Sequence, residues 1–263
     1  MSTDRVLRDI VFARHMRFRP LSLDLHLPEG EGPFPVILQL HGGGWRTGSR
    51  TSFSPLVSVE DSFGRMVAAG FAVAAVDYRL SGEAVFPAQL EDVRAALGWI
   101  LHQGKGFGLD VDRIVLWGGS AGGTLAALAG LEPEAAVRGV IDWYGVSDVL
   151  AMAEYTRGSD APGESREDQW LGASVFDVPE IAAAASPVSH VAAGAPPFLL
   201  AHGADDTDVP PSQTQALADA LEAAGVPVEL HFEPDAGHFW KGLSDQSALF
   251  AAAIDFARRV TGA

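Results

Sequence analysis

The chain has 263 residues, enough for one large hydrophobic core, and a formal net charge of −16. This acidic surface would repel nucleic acids and anionic membranes, so we expect neither as a partner. The absence of cysteine excludes disulfides, thiolate catalysis and cysteine-ligated metals.

The apolar segments of the chain are short. None approaches the roughly 18 apolar residues that a membrane-spanning helix needs. Near the N-terminus, the apolar run Ile10–Ala13 is interrupted by Arg8, Arg14 and Arg17, a pattern that is not typical of a secretory signal peptide. We therefore expect a soluble, cytoplasmic protein. An intracellular enzyme and an acidic binding domain both fit these properties, and the oligomeric state stays open.

Apolar strand segments alternate with helical segments along the chain. Strands are predicted at Val11–Arg14, Ser22–Leu27, Val36–Leu40, Ala72–Val76, Arg113–Trp117, Val137–Trp143, Phe198–Ala201 and Val228–Phe232. Helices are predicted at Asp61–Ala69, from Pro87 to Leu101, and at Thr124–Ala129, Ser212–Ala224 and Asp245–Val260. This alternation requires a mostly parallel sheet with helices on both faces, which is an α/β fold.

One stretch, from Asp148 to His190, departs from the alternation. It contains no convincing strand and several residues that interrupt regular structure: Gly158, Pro162, Gly163 and Pro179. We expect a helical insertion over about residues 148–190, forming a small lid over the carboxyl ends of the strands. An irregular surface connection is the alternative, although long loops without secondary structure are uncommon. The chain as a whole is predicted to be a single domain.

A glycine-flanked serine follows the strand predicted at Arg113–Trp117. The sequence Gly118-Gly119-Ser120-Ala121-Gly122-Gly123 has the G-x-S-x-G spacing of a nucleophile elbow, where a strand turns sharply into a helix. With 29 glycines in the chain, a glycine-rich turn without catalytic function is the alternative. A phosphate-binding loop is disfavoured, because neither common phosphate-loop pattern fits. Ser120 is the predicted nucleophile.

A serine nucleophile needs a base, and the base needs an acid that orients it. His238 lies in the loop after the Val228–Phe232 strand, and the chain order serine, acid, histidine is the one expected. Three acids compete for the third role: Asp205, Asp206 and Asp208. We favour Asp206, which lies four residues before the proline that opens the next helix, as in related loops. Asp205 is the second candidate for the orienting acid.

The segment His41-Gly42-Gly43-Gly44-Trp45 follows the Val36–Leu40 strand. It matches the HGGG-type loop whose backbone N–H groups receive an oxyanion. The predicted donors are the N–H groups of Gly43, Gly44 and Ala121, and a flexible turn is the alternative for the glycines alone. His41 is expected to brace the loop by a hydrogen bond rather than to act as a base. These motifs all follow predicted strands. In parallel sheets, catalytic and ligand-binding residues lie at the carboxyl ends of the strands.

Aromatic residues lie close to these motifs in the sequence. Trp45, Tyr144 and Trp240 are candidate substrate-binding residues, and Trp143 adjoins them. Packing in the core is the alternative for all of these aromatic residues. The histidines show neither H-E-x-x-H nor a helical pair, so no metal site is predicted.

Six segments in chain order carry a resemblance to a known family: His41–Gly48, Asp77–Leu80, Phe86–Val93, Gly118–Gly123, Ser186–Val188 and Gly237–His238. They resemble the α/β-hydrolase esterases related to hormone-sensitive lipase. The branch that looks most similar is that of bifunctional feruloyl and acetyl-xylan esterases, which is also similar to kynurenine formamidases. The resemblance implies an α/β-hydrolase fold and a cofactor-free carboxylesterase. It implies Ser120, Asp206 and His238 as the triad, with Gly43, Gly44 and Ala121 as the oxyanion donors.

Two features depart from these relatives. Larger lipase-like relatives have an N-terminal helical cap, whereas the 40 residues before His41 are predicted to form strands, so the site should be open and suit small or extended esters. No export signal is visible, which favours small imported esters over polymeric xylan. We predict a carboxylesterase acting on short-chain or aryl esters, of acetyl or feruloyl type, through an acyl-enzyme. An arylformamidase-type amide hydrolase and a non-catalytic ligand-binding hydrolase fold are the alternatives.

Overall fold

The computed structural model describes residues 5–16, 18–133, 135–159 and 163–263. Within these ranges eight strands form one sheet in the order β1-β2-β4-β3-β5-β6-β7-β8. Their bounds are β1 Arg5–Ala13, β2 Leu21–Leu27, β3 Phe34–Leu40, β4 Ala72–Val76, β5 Leu109–Gly119, β6 Gly139–Trp143, β7 Phe198–Gly203 and β8 Val228–Glu233. Each of the eight strands overlaps a strand predicted from the sequence.

The sheet is parallel from β4 through β3 and β5 to β8. The β1–β2 and β2–β4 pairs are antiparallel, so the N-terminal strands form one edge of the sheet. The prediction that strands precede His41 is therefore confirmed. The predicted start of the first strand at Val11 was wrong, since β1 begins at Arg5. Charged Arg8 and Asp9 on this exposed edge strand mask the apolar pattern that marks the inner strands.

Helices cover both faces of the sheet. Their bounds are α1 Arg65–Ala68, α2 Ala88–Gln103, α3 Ala121–Gly130, α4 Val149–Tyr155, α5 Arg166–Leu171, α6 Pro179–Ala184, α7 Ser212–Ala223 and α8 Ser247–Thr261. A single π-helical turn at Glu60–Gly64 precedes α1. None of these helices is long and apolar enough to cross a membrane.

Neighbouring residues of the inner strands pack on opposite faces of the sheet, in two separate hydrophobic layers. Leu38 of β3 packs in the layer that contains residues of α2, α3 and α7. The adjacent Ile37 packs in the other layer, with residues of α1 and α8. Because both faces are covered, the inner strands are apolar runs rather than alternating ones. The predicted α/β architecture is confirmed.

Residues 148–190, called the insertion below, contain α4, α5 and α6 and two turns of 3-10 helix at Val175–Asp177 and Pro187–His190. No strand occurs in the described part of this segment, as predicted, while residues 160–162, including Pro162, lie outside it. Side chains cap two of the helices. Asp148 accepts a hydrogen bond from Ala151 N–H, and Ser165 accepts one from Asp168 N–H, each at 3.0 Å.

Candidate active site

Ser120 lies at the junction between the end of β5 and the start of α3. Its backbone has φ 55° and ψ −127°, a conformation that is strained for a residue with a side chain. Two hydrogen bonds hold it there. Ser120 N–H donates to the Trp143 carbonyl at 2.8 Å, and the Ser120 carbonyl accepts from Thr124 N–H at 3.1 Å. The turn places the hydroxyl at the carboxyl edge of the sheet.

The glycines around Ser120 are required by close backbone packing. A Cβ on Gly118 would lie 2.1 Å from the carbonyl oxygen of Gly122. A Cβ on Gly122 would lie 2.1 Å from the carbonyl oxygen of Leu40. The sharp turn and the contact between α3 and the end of β3 therefore leave no room for side chains at these two positions.

Three predicted residues meet in one hydrogen-bonded chain. His238 Nε2 lies 3.0 Å from Ser120 Oγ, and His238 Nδ1 lies 2.6 Å from Asp206 Oδ2. All three residues are buried, with His238 the most exposed at 7%. Because an ionised carboxylate only accepts hydrogen bonds, the Nδ1 atom carries the ring hydrogen. The free lone pair of Nε2 then faces the serine hydroxyl.

Asp206 is held by four donors. Its Oδ1 accepts the N–H groups of Asp208 and Val209, both at 2.9 Å. Its Oδ2 accepts from His238 and from His202 Nε2, the latter at 3.2 Å. Burial alone would raise the pKa of Asp206, but the hydrogen bonds from His202 and His238 outweigh it and hold the pKa well below its usual range. The other two candidate acids, Asp205 and Asp208, are exposed.

His202 is a buried member of this network that the sequence patterns did not indicate. Its Nε2 also lies 2.9 Å from the Val209 carbonyl, and its Nδ1 lies 2.6 Å from Thr214 Oγ1. Since both neighbours of Nε2 are acceptors, Nε2 carries the hydrogen and Nδ1 accepts from the threonine hydroxyl. His202 thereby orients Asp206 toward His238.

The glycine loop after β3 exposes backbone donors beside Ser120. Gly43 and Gly44 have φ values of +116° and +59°, which favour glycine. The Gly43 carbonyl accepts the N–H groups of Arg46 and Thr47, each at 3.1 Å, so the loop closes into a tight turn. Within the described ranges, the N–H groups of Gly43, Gly44 and Ala121 have no protein acceptor. They are available to a ligand.

His41 braces this loop, as predicted. Its Nδ1–H donates to the Gly42 carbonyl at 2.8 Å, and its ring stacks on Tyr78 with centroids 4.2 Å apart. The Tyr78 hydroxyl donates to the His41 carbonyl at 2.8 Å. Burial lowers the pKa of His41 to about 4, so the ring is neutral near pH 7. A neutral ring adds no positive charge to the loop.

Residues 23–221 match the BD-FAE family, which covers most of the chain. The chain belongs to the BD-FAE family. The resemblance inferred from the motifs is thereby confirmed.

Named proteins share sequence with this BD-FAE member. It is 34% identical to esterase LipQ of Mycobacterium tuberculosis over 235 residues, which cover 84% of this chain and 54% of LipQ. It is 30% identical to carboxylesterase NlhH of the same organism over 240 residues, covering 87% of this chain and 71% of NlhH. The chain spans about half the length of LipQ and of other curated relatives that it matches.

A solved structure shows the same fold. A truncated carbohydrate esterase from gut microbiota superposes with a TM-score of 0.85 at 24% identity, covering 98% of this chain and 97% of the other. At this identity the likeness concerns the fold alone, and it confirms the predicted α/β-hydrolase fold with a mostly parallel central sheet.

The three aromatic residues predicted to bind substrate have different surroundings in this BD-FAE protein, although each is only 1% exposed. Trp45 borders a cavity of about 10 Å³, called the small cavity below, together with Ser120. Tyr144 borders a cavity of about 240 Å³, called the larger cavity below, together with Gly43. Trp240 packs against Trp143, with ring centroids 5.2 Å apart, inside the second hydrophobic layer. It borders neither cavity, so its surroundings favour the packing alternative.

A buried carboxyl group lies directly beneath the serine turn. Asp142 of β6 is paired with Gly118 of β5, and its Oδ1 accepts Gly145 N–H at 3.0 Å. A Cβ on Gly123 would lie 2.0 Å from that same oxygen, so the carboxyl packs against the first turn of α3. Burial raises the pKa of Asp142 to about 7. An acid among the apolar residues Gly139–Trp143 is the sequence signal that could have indicated this residue.

Asp142 should make the stability of the protein depend on pH. Its pKa is raised from 3.8 to about 7 in the folded protein, so its stabilising contribution is present below pH 3.8 and is lost as the pH rises through 7. Asp142→Asn removes this titration. Between pH 5 and pH 8, the free energy of unfolding of the variant relative to the parent should rise by about 3 kcal/mol, measured by urea titration. A difference that is equal at both pH values would contradict the prediction.

Proposed function

We propose that this BD-FAE protein is a serine carboxylesterase that hydrolyses short-chain or aryl esters through an acyl-enzyme. The observation that carries the proposal is the hydrogen-bonded chain from Ser120 Oγ through His238 to Asp206, with contacts of 3.0 and 2.6 Å. The unpaired N–H groups of the glycine loop and of Ala121 support it. The names of LipQ and NlhH, an esterase and a carboxylesterase, support the same reaction class.

The first half of the reaction forms the acyl-enzyme. Ser120 Oγ attacks the ester carbonyl carbon while His238 Nε2 accepts the hydroxyl proton. Asp206 holds the Nδ1–H tautomer and stabilises the imidazolium that forms. When the tetrahedral intermediate collapses, the bond from carbon to the alcohol oxygen breaks. The alcohol leaves with the proton that His238 returns.

The negative oxygen of the tetrahedral intermediate is received by the predicted donors Gly43, Gly44 and Ala121. Ala121 and its neighbours are the first residues of α3, where unpaired N–H groups and the helix dipole favour negative charge. Each donor of this kind contributes about 3–4 kcal/mol to stabilising the transition state.

The second half of the reaction releases the acid. A water molecule attacks the acyl carbon while His238 Nε2 accepts one of its protons. Collapse of the second intermediate breaks the bond to Ser120 Oγ, which takes the proton back from His238. Atoms and protons balance over the cycle without a cofactor.

The alcohol group is proposed to lie in the larger cavity, of about 240 Å³. Because His238 returns a proton to the leaving alcohol, the alcohol must lie beside the imidazole ring. Tyr144 and Phe239 border this cavity, and their ring centroids lie 5.0 and 4.3 Å from that of His238. The volume is below the range of about 300–1,000 Å³ typical of drug-sized ligands, which supports a small alcohol or a single aromatic ring.

The insertion is proposed to act as a lid. Trp170 of α5 stacks on Trp45 of the glycine loop, with centroids 3.8 Å apart and planes at 5°. The side chain of Arg166 crosses the same loop, since a Cβ on Gly44 would lie 2.6 Å from Arg166 Cδ. These contacts support a lid that covers Ser120 from above the glycine loop.

Comparing kcat/KM between substrates tests the ester assignment against the arylformamidase alternative, because both activities would use the same side chains. We expect kcat/KM for phenyl acetate or ethyl ferulate to exceed that for N-formylkynurenine by at least about tenfold, since an ester carbonyl is more electrophilic than an amide carbonyl and an alcohol is a better leaving group than an amine. Each substrate is measured separately with the same enzyme preparation. A large preference for the formamide would overturn the ester assignment while leaving the serine chemistry intact.

A further inference from the structure

Glu167, the second residue of α5, is a buried carboxylate that has no part in the proposed reaction. It is 2% exposed, although it lies on a short helix of the insertion. It borders the small cavity, which Ser120, Ala121 and Gly44 also border. Glu167 and the proposed nucleophile therefore border the same small cavity.

Within the described ranges, no lysine, arginine or histidine forms an ion pair with this carboxylate. Among the residues that the structure describes, the hydrogen bond recorded for it comes from its own backbone N–H. Burial raises the pKa of Glu167, while that N–H, Arg166 and Arg46 lower it and the neighbouring Asp168 raises it. Neither arginine forms an ion pair with Glu167 within 4.0 Å. Burial is the largest influence on this carboxyl group, and titratable groups with shifted pKa values cluster at functional sites.

The size of the space indicates what can reach the carboxylate. The small cavity has a volume of about 10 Å³, close to the minimum that one water molecule occupies. A hydroxyl or an ammonium group is of this size and can donate a hydrogen bond. A bulkier apolar group would need α5 to move away and would leave the carboxylate unpaired.

We propose that Glu167 accepts a hydrogen bond from a hydroxyl or ammonium group of the substrate and thereby selects esters that carry such a donor beside the scissile bond. The inference rests on the proposed function, because it takes Ser120 as the nucleophile. A site built around a buried acceptor discriminates against an analogue that lacks the donor, since the acceptor is then left unpaired away from water.

Matched esters test the proposal on the unaltered enzyme. On the acyl side, p-nitrophenyl butanoate is compared with the hydroxypropanoate and the β-alaninate, in which a hydroxyl or an ammonium replaces the terminal methyl group. On the alcohol side, propyl acetate is compared with hydroxyethyl acetate. We expect the donor to raise kcat/KM by about tenfold or more in at least one series. Equal kcat/KM within each series would overturn the inference.

Two variants of Glu167 test whether its carboxylate is the acceptor and whether the substrate group that it prefers is a hydroxyl or an ammonium. Glu167→Met has a similar shape and no acceptor, so the ratio of kcat/KM between a donor ester and its matched partner should fall toward one. Glu167→Gln keeps a neutral acceptor, so it should largely keep a hydroxyl preference and lose an ammonium preference. Glu180→Met, at an exposed position of α6, is the control and should keep the parent ratio.

The possible failures are distinguishable. If the parent hydrolyses all the esters but shows no preference for a donor, the role of Glu167 is wrong and the esterase proposal stands. If the parent prefers donors and Glu167→Met keeps that preference, the donor is recognised elsewhere and the inference is also wrong. If no ester is hydrolysed, the proposed function fails and the inference fails with it.

Discussion

Ser120→Ala is expected to lower kcat/KM for p-nitrophenyl acetate by about 10⁴- to 10⁶-fold. The substitution removes the nucleophilic oxygen and its contact of 3.0 Å with His238 Nε2. The backbone strain at this position is unchanged, because alanine also carries a Cβ. The variant should therefore fold like the parent, which thermal unfolding can verify. Steady-state kinetics on purified protein measure the loss.

Covalent labelling gives an independent measurement of the same residue. A fluorophosphonate should modify the parent at Ser120 and leave Ser120→Ala unmodified. Ser189→Ala, at an exposed position, is the matched control and should be labelled and active like the parent. A Ser120→Ala protein that hydrolyses the ester at the parent rate would refute the mechanism. Absence of labelling in folded parent protein would favour the non-catalytic ligand-binding alternative.

Asp206→Asn is expected to reduce kcat by about 10⁴-fold. An asparagine amide would present its NH₂ group either to His238 Nδ1 or to the N–H groups of Asp208 and Val209. In the first arrangement Nδ1 must accept a hydrogen bond, which favours the wrong tautomer of His238. In the second arrangement the NH₂ group faces the two backbone N–H donors and cannot bond to them. The variant also removes the negative charge that stabilises the imidazolium. Kinetics over a range of pH, with thermal unfolding in parallel, separate the catalytic loss from a loss of stability.

The neighbouring acids provide controls for this prediction. Asp205 and Asp208 are exposed and lie within two positions of Asp206 in the same loop. Asp205→Asn and Asp208→Asn should each keep kcat within a few-fold of the parent, because neither side chain contacts His238. Should Asp205→Asn lose activity while Asp206→Asn keeps it, the orienting acid would be Asp205 instead.

Most of the sheet could be predicted because its inner strands are buried on both faces. Such strands are continuous apolar runs, as in Ala72–Val76, whose observed bounds equal the predicted ones. The edge strand β1 has no such run, since one side of it faces water. Within the insertion, α4, α5 and α6 are short helices, and the first two begin at the side-chain caps Asp148 and Ser165. Their positions were not predicted, because six or seven residues carry too little helical periodicity.

The candidate site likewise contains residues that the sequence predicted and residues that it did not. The sequence predicted Ser120, Asp206, His238 and the glycine loop, because they lie in motifs whose spacing reflects close backbone packing. His202, Asp142 and Glu167 lie in no such motif. Their surroundings depend on how the chain folds, for example on the contact between His202 and Thr214 across a loop. The role of each of these side chains depends on its burial and on the atoms that it contacts. Neither property can be predicted from the neighbouring residues in the sequence.

The stacked indoles of Trp45 and Trp170 join the glycine loop to α5, so a movement of either segment would disturb its contact with the other. Any ester large enough to push α5 outward would also pull at the segment that carries Gly43 and Gly44. Bulky substrates would then be disfavoured twice, once on entry and again when charge develops on the carbonyl oxygen. If the proposed esterase activity is correct, size selection would accordingly be expressed in turnover as well as in affinity.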